Sequence, residues 1–403
     1  MTFSTSLPGF ERDPGGIILF AESAEEMDCA QQHFRAHLAS LTLERYVQIH
    51  VYGRCGTRFV CGFGLNASAV ARTCVGDTLQ LAQQFGLDTR LNPDDLEREI
   101  ILAMLLAPFA FVFPGDEELA AAVRIRKNIV VAGRNAALAF DTEEAERPAE
   151  YWTYSEENGF TVKPGKSLIE ALRKATQPEN PGEIYSFSCY RATEYVILLG
   201  IAQELATTNP ELFQQLQRQW QRQAIMSGRF HDVFLYEYGS MNAPLPPKYY
   251  VPGDRLWFRN PDESSSDVMG YEGSWVLYLG GGLFTNFWKR AAPYTLTAKC
   301  LELYHWRNAT YLDPQGKPQI NEAEVEARVE KTLKDPEEVE RILEIMLRFR
   351  DEQGVYAGGG CIDTSREYPR WVCPAAATIQ LPVPLPQTSA SVSEVVKSCI
   401  LLL

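Results

Sequence analysis

Tyr185-Ser186-Phe187-Ser188-Cys189-Tyr190-Arg191-Ala192 is the stretch on which the reading of this 403-residue chain turns. It lies between a loop, Gln177 to Ile184, punctuated by Pro178, Pro181 and Gly182, and a strongly apolar helical run from Tyr190 to Ala206. A cysteine at the first turn of a helix faces unpaired backbone N–H groups and the positive end of the dipole. Both favour its thiolate, the nucleophilic form. A free cysteine is also a common buried structural residue, so its surroundings have to decide between the two roles.

Outward from this point the chain places helices first and strands later. Glu117 to Phe140 predicts one helix with Arg124, Arg126 and Lys127 on its wet side, followed by an acidic connector, Asp141 to Glu150. Tyr151 to Lys163 reads as extended, and Ser167 to Ala175 as a short helix capped by Ser167. Beyond the apolar helix, Gly253 to Phe258 and Trp275 to Leu279 read as strands around the polar loop Pro261 to Ser266. Gly280-Gly281-Gly282 then turns into a third strand, Leu283 to Trp288. The order predicts an α+β unit with helices packed on an antiparallel sheet.

Before that unit the pattern is α/β. Ile17 to Phe20 is a short strand, Ala24 to Leu41 a helix, and Tyr46 to Tyr52 an alternating strand that turns at Gly53 to Gly56 into Arg58 to Cys61. A helix is expected from Ala67 to Phe85, and Asn92-Pro93-Asp94-Asp95 opens another. Ile100 to Phe113, broken by Pro108, is too short for a membrane span and predicts a buried helix followed by a strand. After the central unit, Glu322 to Asp351 reads as one charged amphipathic helix whose apolar side packs on the core. Pro374 to Ser391 reads as a mobile linker and Val392 to Leu403 as a short apolar tail. The expected organisation is an N-terminal α/β accessory domain (1–114), a catalytic domain (115–310), a helical C-terminal extension (311–373) and a Pro/Ser-rich tail (374–403).

Composition narrows the function classes. A hydrophobic fraction of 45% and a charged fraction of 22% exclude disorder as the main state. With Lys plus Arg at 38 and Asp plus Glu at 52, the net charge of −14 argues against nucleic acid and against anionic lipid as partners. The first residues carry no basic segment and no long apolar core, and nine cysteines lack the spacing of a disulfide framework. A cytoplasmic protein is expected, with signal-independent export left open.

The neighbours of Cys189 carry a resemblance. Glu150-Tyr151-Trp152, then Gly159-Phe160-Thr161-Val162-Lys163-Pro164-Gly165, lead to the Tyr-x-Phe-x-Cys run at Tyr185 to Cys189. Leu235-Tyr236-Glu237-Tyr238 continues the pattern. Its most specific part is Pro252-Gly253-Asp254-Arg255-Leu256-Trp257-Phe258-Arg259-Asn260-Pro261, followed by Gly273 and Val276-Leu277-Tyr278-Leu279-Gly280. Upstream, Arg126-Lys127-Asn128-Ile129-Val130-Val131-Ala132 fits the helix that precedes the core. Together these resemble the small transglutaminases of Bacillus spore coats, from about Asp116 to Trp306. The resemblance implies a papain-like, NlpC/P60-type core whose cysteine attacks the γ-carboxamide of a protein glutamine and passes the acyl group to a lysine or small amine. It implies Cys189 as nucleophile. The family's partner residues are substituted: Ser188 replaces a Glu before the cysteine, Ser274 replaces the Glu of a Trp-x-Gly-Glu-Asn run, and Phe287 or Asn286 replaces a His.

Serine, asparagine and phenylalanine do no acid–base work near neutral pH, so another residue has to supply it or the activity is lost. Glu272, two residues before Ser274 on a strand, is expected on the same face and is the candidate acid–base group. Asn286 is a candidate to orient a partner or donate to an oxyanion. His231 and His305 lie in or beside the family span, with His231 the nearer candidate, while His33, His37 and His50 read as surface or structural residues. No cofactor is expected, and Cys361 and Cys373 lack histidines at metal-site spacing. Gly280–Gly282 and Gly358–Gly360 read as turns rather than phosphate loops. Tyr249, Tyr250 and Trp257 fit a core, or else an aromatic acceptor groove. Three functions stay open: glutamine acyl transfer giving crosslinking or deamidation, a binding module that has lost catalysis, and a thiol peptidase or amidase.

Overall fold

A computed structural model describes residues 15–141, 145–179, 183–350 and 358–382. The N-terminal unit is built on a four-stranded sheet. Its strands are β1 (Gly16–Ala21), β2 (Val47–Cys55), β3 (Arg58–Leu65) and β4 (Ala110–Phe113), in the order β2-β3-β1-β4. The pair β1–β4 is parallel and the others are antiparallel. Helix α1 (Ala24–Ser40) covers one face through Met27, Ala30, Phe34 and Leu38. Helix α2 (Pro93–Leu105) starts as the sequence predicts: the Asn92 side chain accepts from Asp94 N–H, and Pro93 occupies the first turn, where no intrahelical N–H is needed. The single helix expected from Ala67 to Phe85 is instead two short ones, Ala67–Val70 and Leu81–Phe85. Between them Thr78 turns away to hydrogen-bond the backbone at Lys248 and Tyr250, a tertiary attachment that overrides local helical spacing.

The central unit packs helices on a six-stranded antiparallel sheet. Helix α3 (Asp116–Asn135) ends earlier than the sequence suggested, because Ala139–Phe140 is extended and pairs in parallel with Ser186–Phe187. Helix α4 (Leu168–Thr176) has Ser167 as its cap. Helix α5 (Cys189–Thr208) is buried on nearly all sides, which explains its all-round apolar sequence. It lies against α3 at close range: a Cβ at Gly200 would come 2.6 Å from Ile129 Cγ1. Helix α6 (Pro210–Arg222) follows. The sheet is formed by β5 (Leu235–Tyr238), β6 (Arg255–Arg259), β7 (Gly273–Gly280), β8 (Leu283–Phe284), β9 (Tyr294–Thr295) and β10 (Arg366–Pro369). Its order is β9-β8-β7-β6-β10-β5. The third strand expected over Leu283 to Trp288 is only β8. After it the chain leaves the sheet into a loop closed by Asn286, whose Nδ2 donates to Ala292 C=O and whose Oδ1 accepts from Lys289 N–H.

The C-terminal segment is more than a helical addition. Helix α7 (Leu296–Trp306) packs on α8 (Glu322–Thr332) and α9 (Pro336–Met346). The one helix expected over Glu322 to Asp351 is broken at Asp335-Pro336, where Asp335 caps the second helix and Pro336 could not continue the first. Strand β10 then returns to lie between β6 and β5 inside the main sheet. Part of the expected mobile linker is also packed: Ile379 is buried in the same apolar cluster as α5, with Ala377 and Leu381 against it. The rest of that linker and the apolar tail lie outside the described residues. A second apolar cluster runs from Ile17 and Met27 through α2 to Leu119, Val130, Tyr249 and Leu279, so residues on both sides of position 115 share one core. Among the described residues no helix is long and apolar enough to cross a membrane.

Candidate functional site

The most specific stretch of sequence turns out to be an anchor for the fold. Arg126 of α3 and Asp254 are both fully buried and paired, Nη1 to Oδ1 at 2.7 Å, and Arg126 also donates to Pro252 C=O at 3.1 Å. The Tyr238 hydroxyl donates to the same carboxylate, and Val251 N–H donates to its Oδ2. Gly253 has φ +90°, and a Cβ there would meet Arg126 at 3.0 Å. Only glycine suits both the left-handed backbone and the close approach. This anchor sets the start of β6 and hence the register of β7, which passes beside the cysteine.

Cys189 is the first residue of α5, with Ser188 as its cap: the Ser188 hydroxyl accepts from Arg191 N–H at 3.3 Å. The thiol is half-buried, and Trp275 N–H of β7 points at its sulfur at 3.5 Å. Two cavities meet there. One, about 310 Å³, is lined by Cys189, Ser274, Asn286, Lys299 and a run of aromatic rings that includes Tyr271 and Trp306. The other, about 420 Å³, is lined by Cys189, Ser188, Tyr190, Trp257, Glu272 and Trp275. The helix start was expected to lower the thiol's pKa. Burial instead pushes it above the ordinary cysteine value, and the N–H groups of Trp275 and Tyr190 with the cations Lys299 and Arg255 only partly offset this.

Of the candidate partners Glu272, Asn286 and His231, the structure brings two to cavities that Cys189 lines, though not as expected. Glu272 precedes β7, so the alternation that was to align it with Ser274 does not yet apply. It is exposed and lines the second cavity, while Ser274 lines the first. Asn286 lines the first cavity with its amide engaged in its own loop. His231 lines neither cavity. Its Nδ1 meets Glu367 Oε1 at 2.8 Å, and the hydrogen bond to that carboxylate raises the imidazole's pKa against the opposing effect of burial. Glu367 Oε2 accepts from Arg255 Nη1 at 2.7 Å, and the Arg255 guanidinium lies against the edge-to-face pair of Tyr190 and Trp275 rings, 4.4 and 4.1 Å from their centroids. His231 therefore reaches the thiol's surroundings only through two intervening residues. His305 is buried against α8, Nε2 to Thr332 Oγ1 at 2.9 Å, as a structural group. Tyr249 and Tyr250 are core residues, whereas Trp257 does line the second cavity. Gly280–Gly282 is the turn between β7 and β8, with all three residues at positive φ. Among the described residues no group of three or more His, Cys, Asp or Glu is arranged to hold a metal ion.

Residues 76–358, well over half the chain, match the family model described as protein-glutamine gamma-glutamyltransferase. The chain belongs to that family. A protein-glutamine gamma-glutamyltransferase of Bacillus licheniformis is 27% identical over 188 residues, covering 43% of this chain and 69% of that one. The solved transglutaminase of Geobacillus stearothermophilus, without its C-terminal extension, aligns over 53% of this chain and 98% of that one, at 19% identity and a TM-score of 0.36.

Several groups in this transglutaminase-family site were missed from sequence. Arg255 sits inside the recognised stretch yet was not read as a neighbour of Cys189. Helix α7 was not assigned, although it carries Lys299 and Glu302 into the first cavity. The available signal was a lysine in the otherwise apolar run Leu296-Thr297-Ala298-Lys299-Cys300-Leu301. The α8 residues Glu322, Val325 and Glu326 complete the wall from a segment beyond the span of the resemblance.

Proposed function

We infer that this chain transfers the γ-glutamyl group of a protein-bound glutamine through a thioester on Cys189, within a papain-like arrangement of helix and antiparallel sheet. The observation that carries this reading is the meeting of two cavities at one thiol. A transferase has to bring a donor and an acceptor to the same atom, and separate approaches allow both to be present. In the first half-reaction the thiolate attacks the γ-carboxamide carbon, the C–N bond breaks, and ammonia leaves after gaining a proton. In the second, a lysine or small amine attacks the thioester carbon, loses a proton, and releases the cysteine sulfur. Water in place of the amine gives glutamate, which is deamidation. Trp275 N–H and the backbone at the start of α5 are donors suited to the charge that develops at the sulfur and the carbonyl oxygen. Glu272 is the side chain assigned to proton transfer, from the second cavity.

A competing reading, a binding module with this fold, draws on one observation: the thiol is held above its ordinary pKa beside substituted partner positions. One experiment separates the two. Incubating the chain with a glutamine-containing protein and a labelled primary amine should give incorporation that Cys189→Ala abolishes, or ammonia and a one-dalton gain if water is the acceptor. Binding of the glutamine protein by both forms, with no ammonia and no incorporation from either, would overturn the catalytic reading.

A further inference from the structure

The places where the resemblance implies ionisable partners hold uncharged Ser188, Ser274 and Asn286 or Phe287 here, yet a cation faces the thiol. Lys299, in the first turn of α7, is only 3% exposed and lines the first cavity together with Cys189. An ammonium this deeply placed needs compensation. Its Nζ is paired with Glu302 Oε2 at 2.5 Å and stands over the Tyr294 ring, 4.2 Å from the centroid. Glu302 Oε1 accepts from the Tyr294 hydroxyl at 2.8 Å, so one carboxylate fixes both groups. An i, i+3 Lys–Glu pair on a helix surface usually stands in water and contributes little. This one is turned inward, and its lysine lines the space into which the sulfur opens.

We propose that Lys299 is the charge partner of the Cys189 nucleophile, positioned by Glu302 and Tyr294, in a site whose expected ionisable partners are replaced. The proposal rests on Cys189 being the reactive group. The other charged or titratable groups that face the thiol do not duplicate this role. Arg255 of β6 has the same sign and a smaller effect on the sulfur, and it is already committed to Glu367. Tyr190 stands on the nucleophile's own helix against Arg255. Glu272, in the second cavity, carries the opposite sign. On the far wall of the first cavity Lys289 is paired with Glu326, Glu322 accepts from the Tyr271 hydroxyl, and Glu330 is a further anion.

The test is the pH dependence of iodoacetamide alkylation at Cys189, followed by peptide mapping of the full chain. This reads the thiol itself and not the transfer reaction, so it stands or falls apart from the amine-incorporation assay. Lys299 and Cys189 line one cavity, and removing an opposite charge moves a titration by about one pH unit or more where the two groups lie within about 4–6 Å. Lys299→Met should therefore raise the inflection by about that much and slow alkylation at neutral pH by about tenfold, and Lys299→Arg should restore it. Glu302→Gln removes the anion that offsets the lysine and should move the inflection the other way, which a merely structural pair would not do. An unchanged inflection in folded Lys299→Met, or no restoration by arginine, overturns the proposal. If Lys299→Met does not fold, an unchanged or raised inflection in Glu302→Gln overturns it instead.

Discussion

Glu99 makes the stability of the fold depend on pH near neutrality. It is fully buried on α2, and both of its oxygens accept from Gly281 N–H, at 2.9 and 2.8 Å, while Oε1 also accepts from the Tyr278 hydroxyl at 3.0 Å. These bonds join the N-terminal unit to the turn between β7 and β8. Burial pushes the carboxyl up from 4.5 to about 7, against the pull of those hydrogen bonds and of the Arg134 charge. Between these two pH values the folded chain keeps a proton that the unfolded chain has released. The stability that Glu99 contributes is therefore fully present below about 4.5 and is lost as pH rises through about 7. The gap corresponds to about 3.5 kcal/mol in full, since each pH unit between the two titrations is worth about 1.4 kcal/mol. Glu99→Gln mimics the protonated side chain and removes this dependence. His231, also raised, loses stability in the same direction over part of the range, so the informative quantity is the difference between wild type and variant. Urea unfolding followed by tryptophan fluorescence at pH 5, 6, 7 and 8 should show the variant gaining on wild type by about 2.5 kcal/mol across this range, most of it by pH 7. Parallel pH profiles for the two proteins would refute the reasoning.

Alkylation of Cys189, and with it amine incorporation, should rise steadily from pH 7 to 9, because the thiolate fraction grows about tenfold per pH unit below the thiol's raised pKa; a flat profile would show that the sulfur is already ionised. Glu272→Gln should lower incorporation by about 10²–10⁴-fold with no change in melting temperature, since the side chain is exposed and acts only on protons; near-normal turnover would remove Glu272 from the mechanism. Arg126→Met, which leaves the buried Asp254 carboxylate without its partner, should cost about 3–5 kcal/mol in urea unfolding; a loss below about 1 kcal/mol would mean the ion pair does not anchor β6.

What was legible in the sequence was what local chemistry fixes. Asn92-Pro93 and Ser167 mark helix starts because a capping oxygen and a proline act within one turn, and both helices begin there. The all-round apolar run after Cys189 could only be a buried helix. What was not legible depended on attachments from far along the chain. Thr78, between two short helices, bonds the backbone at Lys248 and Tyr250, and β10 (Arg366–Pro369) inserts into a sheet whose other strands all lie between Leu235 and Thr295. No periodicity within either segment announces such a partner.

The same distinction runs through the site. Gly253, Asp254 and Arg126 stand in stretches that carry the family resemblance, yet they hold the fold through a left-handed backbone and a buried ion pair and line neither cavity at Cys189. The environment of Cys189 is set by less conspicuous residues. Its pKa reflects burial, the N–H groups of Trp275 and of the adjacent Tyr190, and two cations drawn from α7 and β6, so that three of these four groups lie far from it in sequence. A helix-start cysteine was expected to be acidified by its dipole, but the dipole acts on a group that remains in contact with water only on part of its surface. The cost of desolvating a thiolate then exceeds the favourable field of a single helix end. It follows that in this chain the reactivity of the thiol is governed by what fills the two cavities. A donor or acceptor that displaces water from them raises the desolvation cost further unless it brings a hydrogen-bond donor to the sulfur. A glutamine side chain carries one in its γ-NH₂ group, which offsets part of the cost of the displaced water. A glutamine peptide should accordingly raise the pH at which Cys189 alkylation inflects by less than an apolar peptide of the same size does, and equal shifts from the two peptides would refute the argument.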